Sequence, residues 1–238
     1  MNNSSKLLYS KFAPYYHSYY LKRNKYLRGV DSYIVSFLIN NKIKNYLDIG
    51  SGDGVRAQKL ANEINAKKIA LMDNCLEMVQ LSKKIKNTNV IYDDIVKYRN
   101  HKCSFEAITC LWNVFGHIDR VEMRQSALNN ISSLLDRGGY VFIDVNNRYN
   151  FKNYGFKTLL NNLLKDIFKP SIKNGDIMFE IIMKRLKLHA KVHIFNPWEL
   201  DCLIKKTDLK IIKKIYINYK TGTKDFFLGG QILYILKR

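Results

Sequence analysis

Proline is scarce in this chain, with Pro14, Pro170 and Pro197 the only three among 238 residues, and no Pro-, Gly- or Ser-rich stretch interrupts it. A hinge between independent domains is therefore not expected, and the length suits one α/β domain with a modest cap. Four cysteines, Cys75, Cys103, Cys110 and Cys202, show no C-x-x-C spacing. That excludes the usual zinc and disulfide frameworks and fits a reducing compartment. No apolar run approaches the ~20 residues of a membrane span, and the opening MNNSSKLLYSKFAPYYHSYY lacks the apolar core of a signal peptide. A cytoplasmic protein without a membrane partner is expected. Acidic residues are also few, 20 against 40 Lys+Arg, for a net charge of +20.

The charge is unevenly spread. Residues 1–45 hold 8 Lys+Arg and 1 acid, residues 46–150 hold 14 and 12, and residues 151–238 hold 18 and 7. The excess thus lies on the two flanks, which favours an anionic substrate or surface if the middle segment binds a cofactor. A lysine-rich coding bias explains the total equally well, since 30 of the 40 cations are lysine. Hydrophobic residues at 47% and aromatics at 13% are ample for a packed core.

Periodicity predicts aromatic-rich helices at the start, with a helix near Val30–Asn40. Strands at Asn45–Ile49, Lys68–Met72, Asn89–Tyr92, Ala107–Leu111 and Tyr140–Asp144 then alternate with helices at Val55–Ile64, Leu76–Ile85 and Glu122–Leu135. Alternation of short apolar strands with helices predicts a doubly wound parallel sheet. Arg137-Gly138-Gly139 reads as the turn that ends a helix and feeds a buried strand. An extended stretch, Ile177–Phe195, leads to a helix begun by Pro197, and a terminal hairpin pairs Leu209–Tyr219 with Phe226–Leu236.

The strongest chemical signal is Leu47-Asp48-Ile49-Gly50-Ser51-Gly52-Asp53-Gly54, placed between a strand and a helix. Its glycines allow a sharp turn and close approach of a ligand, and the following helix offers free N–H groups. A dinucleotide fingerprint needs a small residue where Val55 stands, which argues against NAD. The pattern D-x-G-x-G-x-G resembles motif I of class I (Rossmann-like) S-adenosylmethionine-dependent methyltransferases. Trp112–His117, Arg137-Gly138-Gly139 and Asp144–Asn150 extend the likeness to small-molecule, natural-product and sugar methyltransferases. It spans residues 46–150, and continues more weakly at His193-x-Phe195-x-Pro197-x-Glu199-Leu200 and Gly229–Tyr234.

The resemblance implies a seven-stranded, mostly parallel sheet with its last strand antiparallel. It divides the single domain into a helical lid (1–44), a cofactor-binding core (45–147), a substrate cap after the fifth strand (148–195) and a C-terminal helix and hairpin (196–238). It implies S-adenosyl-L-methionine as cofactor and S-adenosyl-L-homocysteine as product. Asp48 would face the cofactor's ammonium, Gly50, Ser51 and Gly52 its methionine part, and Asp73 with Asn74 its ribose. Asp94, with Asp93 as competitor, would meet the adenine amino group beside Ile95, and Leu111, Trp112 and Tyr19 would touch the cofactor. His117 is the candidate general base, its alternative being a residue that packs or caps the next helix. Tyr15, Asn146, Arg148 and Tyr149 are candidate substrate contacts.

No carboxylate–histidine cluster has metal-ligand spacing, so no metal is expected. The implied activity is N- or O-methylation of a small, preferably anionic acceptor such as a sugar nucleotide or carboxylated natural product, by a monomer or homodimer. An RNA methyltransferase, drawn to phosphate by the +20 charge, and a non-catalytic cofactor-binding subunit are the competing readings.

Overall fold

The computed structural model of the chain describes residues 3–99, 104–183 and 186–238. Cys103 and part of the 177–195 stretch lie outside them. The chain opens with helices α1 (Asn3–Phe12), α2 (Tyr16–Lys22) and α3 (Asn24–Leu38), with a single 3-10 turn, Ala13–Tyr15, holding Pro14 in its first positions. Helix α3 starts well before the expected Val30, because Tyr26 and Leu27 extend the buried stripe of Val30, Ile34 and Leu38 by another turn.

The core alternates as expected: β1 (Asn45–Ile49), α4 (Val55–Glu63), β2 (Lys68–Asp73), α5 (Leu76–Ser82), β3 (Thr88–Tyr92), β4 (Phe105–Cys110), α6 (Val121–Leu134) and β5 (Leu135–Val145). Next come α7 (Phe151–Tyr154), α8 (Phe156–Phe168), β6 (Asp176–Met183), β7 (Leu186–His193), α9 (Glu199–Ile204), β8 (Lys210–Ile217), β9 (Lys224–Asp225) and β10 (Gln231–Lys237). The main sheet runs β3-β2-β1-β4-β5-β10-β8-β9, while β6 and β7 form a separate hairpin. β1 to β5 pair in parallel, and β10 is antiparallel to both β5 and β8.

Two expectations are corrected. The sheet has eight strands rather than seven, because the two-residue β9 pairs with the end of β8. Arg137-Gly138-Gly139 lies inside β5, where Gly138 takes φ +84° and the register with β4 shifts, so it is an irregularity of the strand and not a turn before it.

Both faces of the sheet are covered, and successive residues pack to opposite sides. In β5, Val141 and Ile143 pack with Ala127, Leu128 and Ile131 of α6, whereas Phe142 packs with Leu27, Val30 and Ile34 of α3. Such two-sided burial makes these strands near-continuous apolar runs. The strand order reverses between β1 and β4, and open α/β sheets bind ligands beyond the carboxyl ends of the strands at that switch.

Helix α3 is clamped to the β8–β9 turn by a close approach of two backbones. A Cβ at Gly29 would lie 2.0 Å from the Gly222 carbonyl oxygen, and one at Gly222 would lie 2.0 Å from that of Lys25. Helix propensity alone favours Ala over Gly by roughly 1 kcal/mol. Gly29→Ala is nonetheless expected to lower stability by about 1–3 kcal/mol through overpacking against backbone, read from the urea unfolding midpoint; a raised midpoint refutes the clamp.

Candidate active site

The loop after β1 turns through Gly50, Gly52 and Gly54 at φ +71°, +57° and +76°. Closeness as well as backbone geometry demands glycine here. A Cβ at Gly50 would meet the Val114 side chain at 2.5 Å, and one at Gly52 would meet the Tyr16 hydroxyl at 2.6 Å. The amide of Gly52 donates to Asp73 Oδ2 and that of Cys75 to Asp73 Oδ1, both at 2.9 Å. Asp73 thus braces the loop from the end of β2. Burial pushes its carboxyl up to about 6 against these backbone donors. Asp48, at the end of β1, accepts from Thr109 Oγ1 at 2.5 Å, and Thr109 is bonded to the Tyr46 hydroxyl. Burial pushes Asp48 up to about 7, with the Thr109 hydroxyl opposing the shift.

Three narrow cavities are strung along the strand ends and all touch Gly50. One, of about 20 Å³, is walled by Asp48, Ser51, Arg56 and Leu111. The next, about 30 Å³, runs past Gly52, Asp73 and Asn74. The last, about 20 Å³, lies against Asp94 and Ile95. The buried Ser51 Oγ and Asn74 Oδ1, at either end of this cleft, have no hydrogen-bond partner. Asn74 Nδ2 donates to Asp94 Oδ2 at 3.3 Å, and Asp94 Oδ1 accepts from the Val96 amide at 3.0 Å. The alternative Asp93 accepts from the Asp94 amide.

Beyond β4 the chain makes two consecutive left-handed residues, Trp112 (φ +62°) and Asn113 (φ +59°). Both amides donate to Asp144 Oδ1 at the end of β5, and the Tyr26 hydroxyl donates to Asp144 Oδ2 at 2.7 Å. Trp112 is thereby held at the border between the cleft and a larger cavity of about 220 Å³. His117, fully buried in the next turn, lies 3.0 Å from the Ser5 hydroxyl through Nδ1 and 3.1 Å from the Tyr9 hydroxyl through Nε2. Burial lowers its imidazole to about 4, so the ring is neutral at physiological pH.

The larger cavity is walled by Tyr9, Phe12, Tyr16 and Tyr19 of the N-terminal helices, by Trp112, His117 and Asn146, and by residues of α7, β6 and β7. Arg23 is the single Lys, Arg, Asp or Glu among its described lining residues. Its guanidinium lies 5.7 Å from the Tyr19 ring centre and 5.3 Å from that of Tyr219.

The structure brings together Asp48, Gly50, Ser51, Gly52, Asp73, Asn74, Asp94, Ile95, Leu111 and Trp112 along the cleft, and His117 and Asn146 at the cavity. Other candidates are placed elsewhere. Tyr19 lines the larger cavity, stacked on Trp112 at 5.9 Å, rather than the cleft. Tyr15 does not line the cavity: Tyr9 and Phe12 of α1 and Tyr16 and Tyr19 of α2 turn to it, while Tyr15, in the 3-10 turn between the two helices, packs against the cluster of Leu8 and Phe12. Arg148 and Tyr149 do not reach the cavity. Arg148 is buried and ion-paired to Asp166 at 2.5 Å, and the Tyr149 hydroxyl donates to the same oxygen at 2.5 Å.

Sequence reasoning passed over Tyr16, Arg23 and the role of Asp144. The recurrence of aromatic residues every three or four positions from Tyr9 to Tyr19 signals the first; nothing local signals the others.

Residues 47–139 match the family model described as a methyltransferase domain. Among solved structures, the chain is similar to an S-adenosylmethionine-dependent methyltransferase from Clostridium acetobutylicum at 18% identity and TM-score 0.69, over 97% of this chain and 98% of that one. It is also similar to CalS10, an amino pentose methyltransferase from Micromonospora echinaspora solved with S-adenosylmethionine bound (14%, TM-score 0.64, 94% and 96%). A third is the N-methyltransferase NodS from Bradyrhizobium japonicum in complex with S-adenosylhomocysteine (12%, TM-score 0.59, 89% and 86%). At these identities the likeness to solved structures is one of fold. No curated protein matches the chain by sequence.

If Arg148 is held for structure, Asp166→Ala leaves a buried guanidinium whose Nε and Nη1 already lack partners. Stability is expected to fall by about 3 kcal/mol, measured by urea denaturation. An unchanged midpoint would return Arg148 to the list of ligand contacts.

Proposed function

We propose that this chain, whose residues 47–139 match a methyltransferase domain within a Rossmann-like fold, is a methyltransferase that transfers the methyl group of S-adenosylmethionine to a small anionic acceptor in the 220 Å³ cavity. The observation that carries the reading is the junction. The cavity and the cleft share Tyr9, Tyr16, Trp112 and His117 as walls, and the cavity's charged lining residue is Arg23, with no carboxylate beside it among the described residues. A guanidinium set against two ring faces is preorganised for a carboxylate or phosphate-type oxyanion.

The cofactor fits the residues present. Asp48 takes the ammonium, and the orphaned Ser51 hydroxyl and the amides of Gly50 and Gly52 line the methionine part. Asp73 and Asn74 hold the ribose hydroxyls, and Asp94 with Ile95 holds the adenine. S-adenosylmethionine supplies a methyl group already activated on a positively charged sulfur. The protein's work is to hold the acceptor in line and to keep water out. Trp112 and Leu111 pack the junction, and the stripe Tyr9–Phe12–Tyr16–Tyr19 closes it from the lid. Asn146 supplies a polar contact to the acceptor. Where the acceptor carries a proton, His117 receives it through the Tyr9 hydroxyl. An imidazole lowered to about 4 is a weak base, which favours an acceptor oxygen that is already ionised.

Tyr16 stands between the cleft's cavities, which at 20–30 Å³ are far below the roughly 300 Å³ of ordinary ligand sites. Helices α1 and α2 therefore act as a lid that moves to admit the cofactor.

The pH dependence follows from two raised carboxyls. Asp48 (about 7) and Asp73 (about 6) must be ionised to accept from ammonium and hydroxyl groups, so affinity nears its full value above about pH 8 and declines as pH falls through both values. Calorimetric titration is expected to show cofactor affinity about tenfold weaker at pH ~6 than at pH ~8, with Asp48→Asn weak and flatter across the series. Affinity that rises on acidification refutes the assignment.

The acceptor class is tested with a panel of small molecules of different charge, followed by formation of S-adenosylhomocysteine. Turnover is expected with anionic members, and Arg23→Met is expected to lower their kcat/KM by about tenfold or more. Neutral acceptors turned over equally well by both proteins would overturn the anionic reading.

A further inference from the structure

Helix α8 presents its apolar side outward. Its inward side is tied down at positions 159, 162 and 166: Leu159 is buried, Asn162 Nδ2 donates to the Arg148 carbonyl at 3.0 Å, and Asp166 takes Arg148 and Tyr149. The other side carries Phe156, Leu160, Leu164, Ile167 and Phe168, exposed to 70%, 48%, 43%, 68% and 75%. These five fall within one arc of the helix at 100° per residue. A surface helix ordinarily turns such an arc to the core. Here polar and ionic contacts hold the helix down and leave the apolar arc in solvent.

The charge around the arc has one sign. Lys157 and Lys165 on the helix, and Lys169 and Lys173 just after it, are all exposed, and none forms an ion pair among the described residues. Asp166, the one acid between residues 151 and 175, points inward to Arg148. An apolar arc ringed by lysines is the pattern of a helix that lies in a lipid interface. A second copy of the chain is a poor occupant, because it brings another +20 and another four lysines to the same face. We propose that α8 docks the protein peripherally on an anionic lipid surface, with Phe156, Ile167 and Phe168 entering the interface and the four lysines meeting the headgroups. At about 20 Å long the helix lies on the bilayer and does not cross it.

The proposal is independent of the acceptor's identity. It is tested by co-sedimentation of the full chain with vesicles of phosphatidylcholine alone and of phosphatidylcholine with about one-third phosphatidylglycerol. Binding to the anionic vesicles alone is expected, weakening several-fold between roughly 0.1 M and 0.5 M salt. Phe156→Ser with Phe168→Ser is expected to weaken it by about tenfold or more, while the melting curve and S-adenosylmethionine binding stay as in the parent. No binding to anionic vesicles, equal binding to neutral ones, or binding indifferent to the two substitutions overturns the proposal. So does a lipid-free dimer in sedimentation velocity that the same substitutions dissolve, since the arc would then belong to a second copy.

Discussion

The carboxylate of Asp144 is the tie on which the site depends. It accepts from two successive amides, those of Trp112 and Asn113, and from the Tyr26 hydroxyl. Left-handed conformations outside glycine cost on the order of 1 kcal/mol or more each and persist only where the surroundings over-determine them. Here one buried acid satisfies both strained amides, and Asn113 Oδ1 in turn accepts from the Asn146 amide. Three regions are locked by this arrangement: the turn after β4, the end of β5 and helix α3. Trp112 is aimed at the border of cleft and cavity as a result, and Gly116 must be glycine because a Cβ there would strike the Asn113 side chain at 2.2 Å.

Electrostatics divides the site into two halves of opposite character. The cleft is lined by carboxylates at three strand ends, and burial raises two of them toward neutrality, outweighing the Thr109 hydroxyl and the Arg56 guanidinium beside Asp48 and the backbone amides at Asp73. Such a row suits a ligand that brings its own ammonium and hydroxyl donors. Across Trp112 the cavity is aromatic, with Arg23 as its charge. A row of carboxylates and a guanidinium set among aromatic rings thus lie on opposite sides of one tryptophan.

The region around the β6–β7 hairpin shows how polar residues can serve architecture. His193 is buried between Asp176 and Glu199, at 2.8 and 2.7 Å, and Glu199 also takes Arg124, whose guanidinium lies over Phe195. The spaced His193, Phe195 and Glu199 of the sequence therefore form a structural knot that joins the β6–β7 hairpin to α6 and α9. Arg148 and Tyr149, which sit just past a strand end where ligand contacts are common, belong to the foundation of α8.

What the sequence determined alone is the part written in local periodicity and spacing. Strands apolar on both faces, helices with one buried stripe, and a glycine loop after β1 are patterns of a few neighbouring residues, and they bring Asp48, Gly50, Gly52 and Asp73 together along the cleft. Tertiary structure decided which of the plausible polar and aromatic residues line the cleft and the cavity. Tyr16 reaches Gly52 across 36 positions, Asp144 reaches Trp112 across 32, and Arg148 is held by Asp166 of helix α8. Orientation of that kind is set by packing between segments distant in sequence, where long side chains choose among partners that no local pattern reveals.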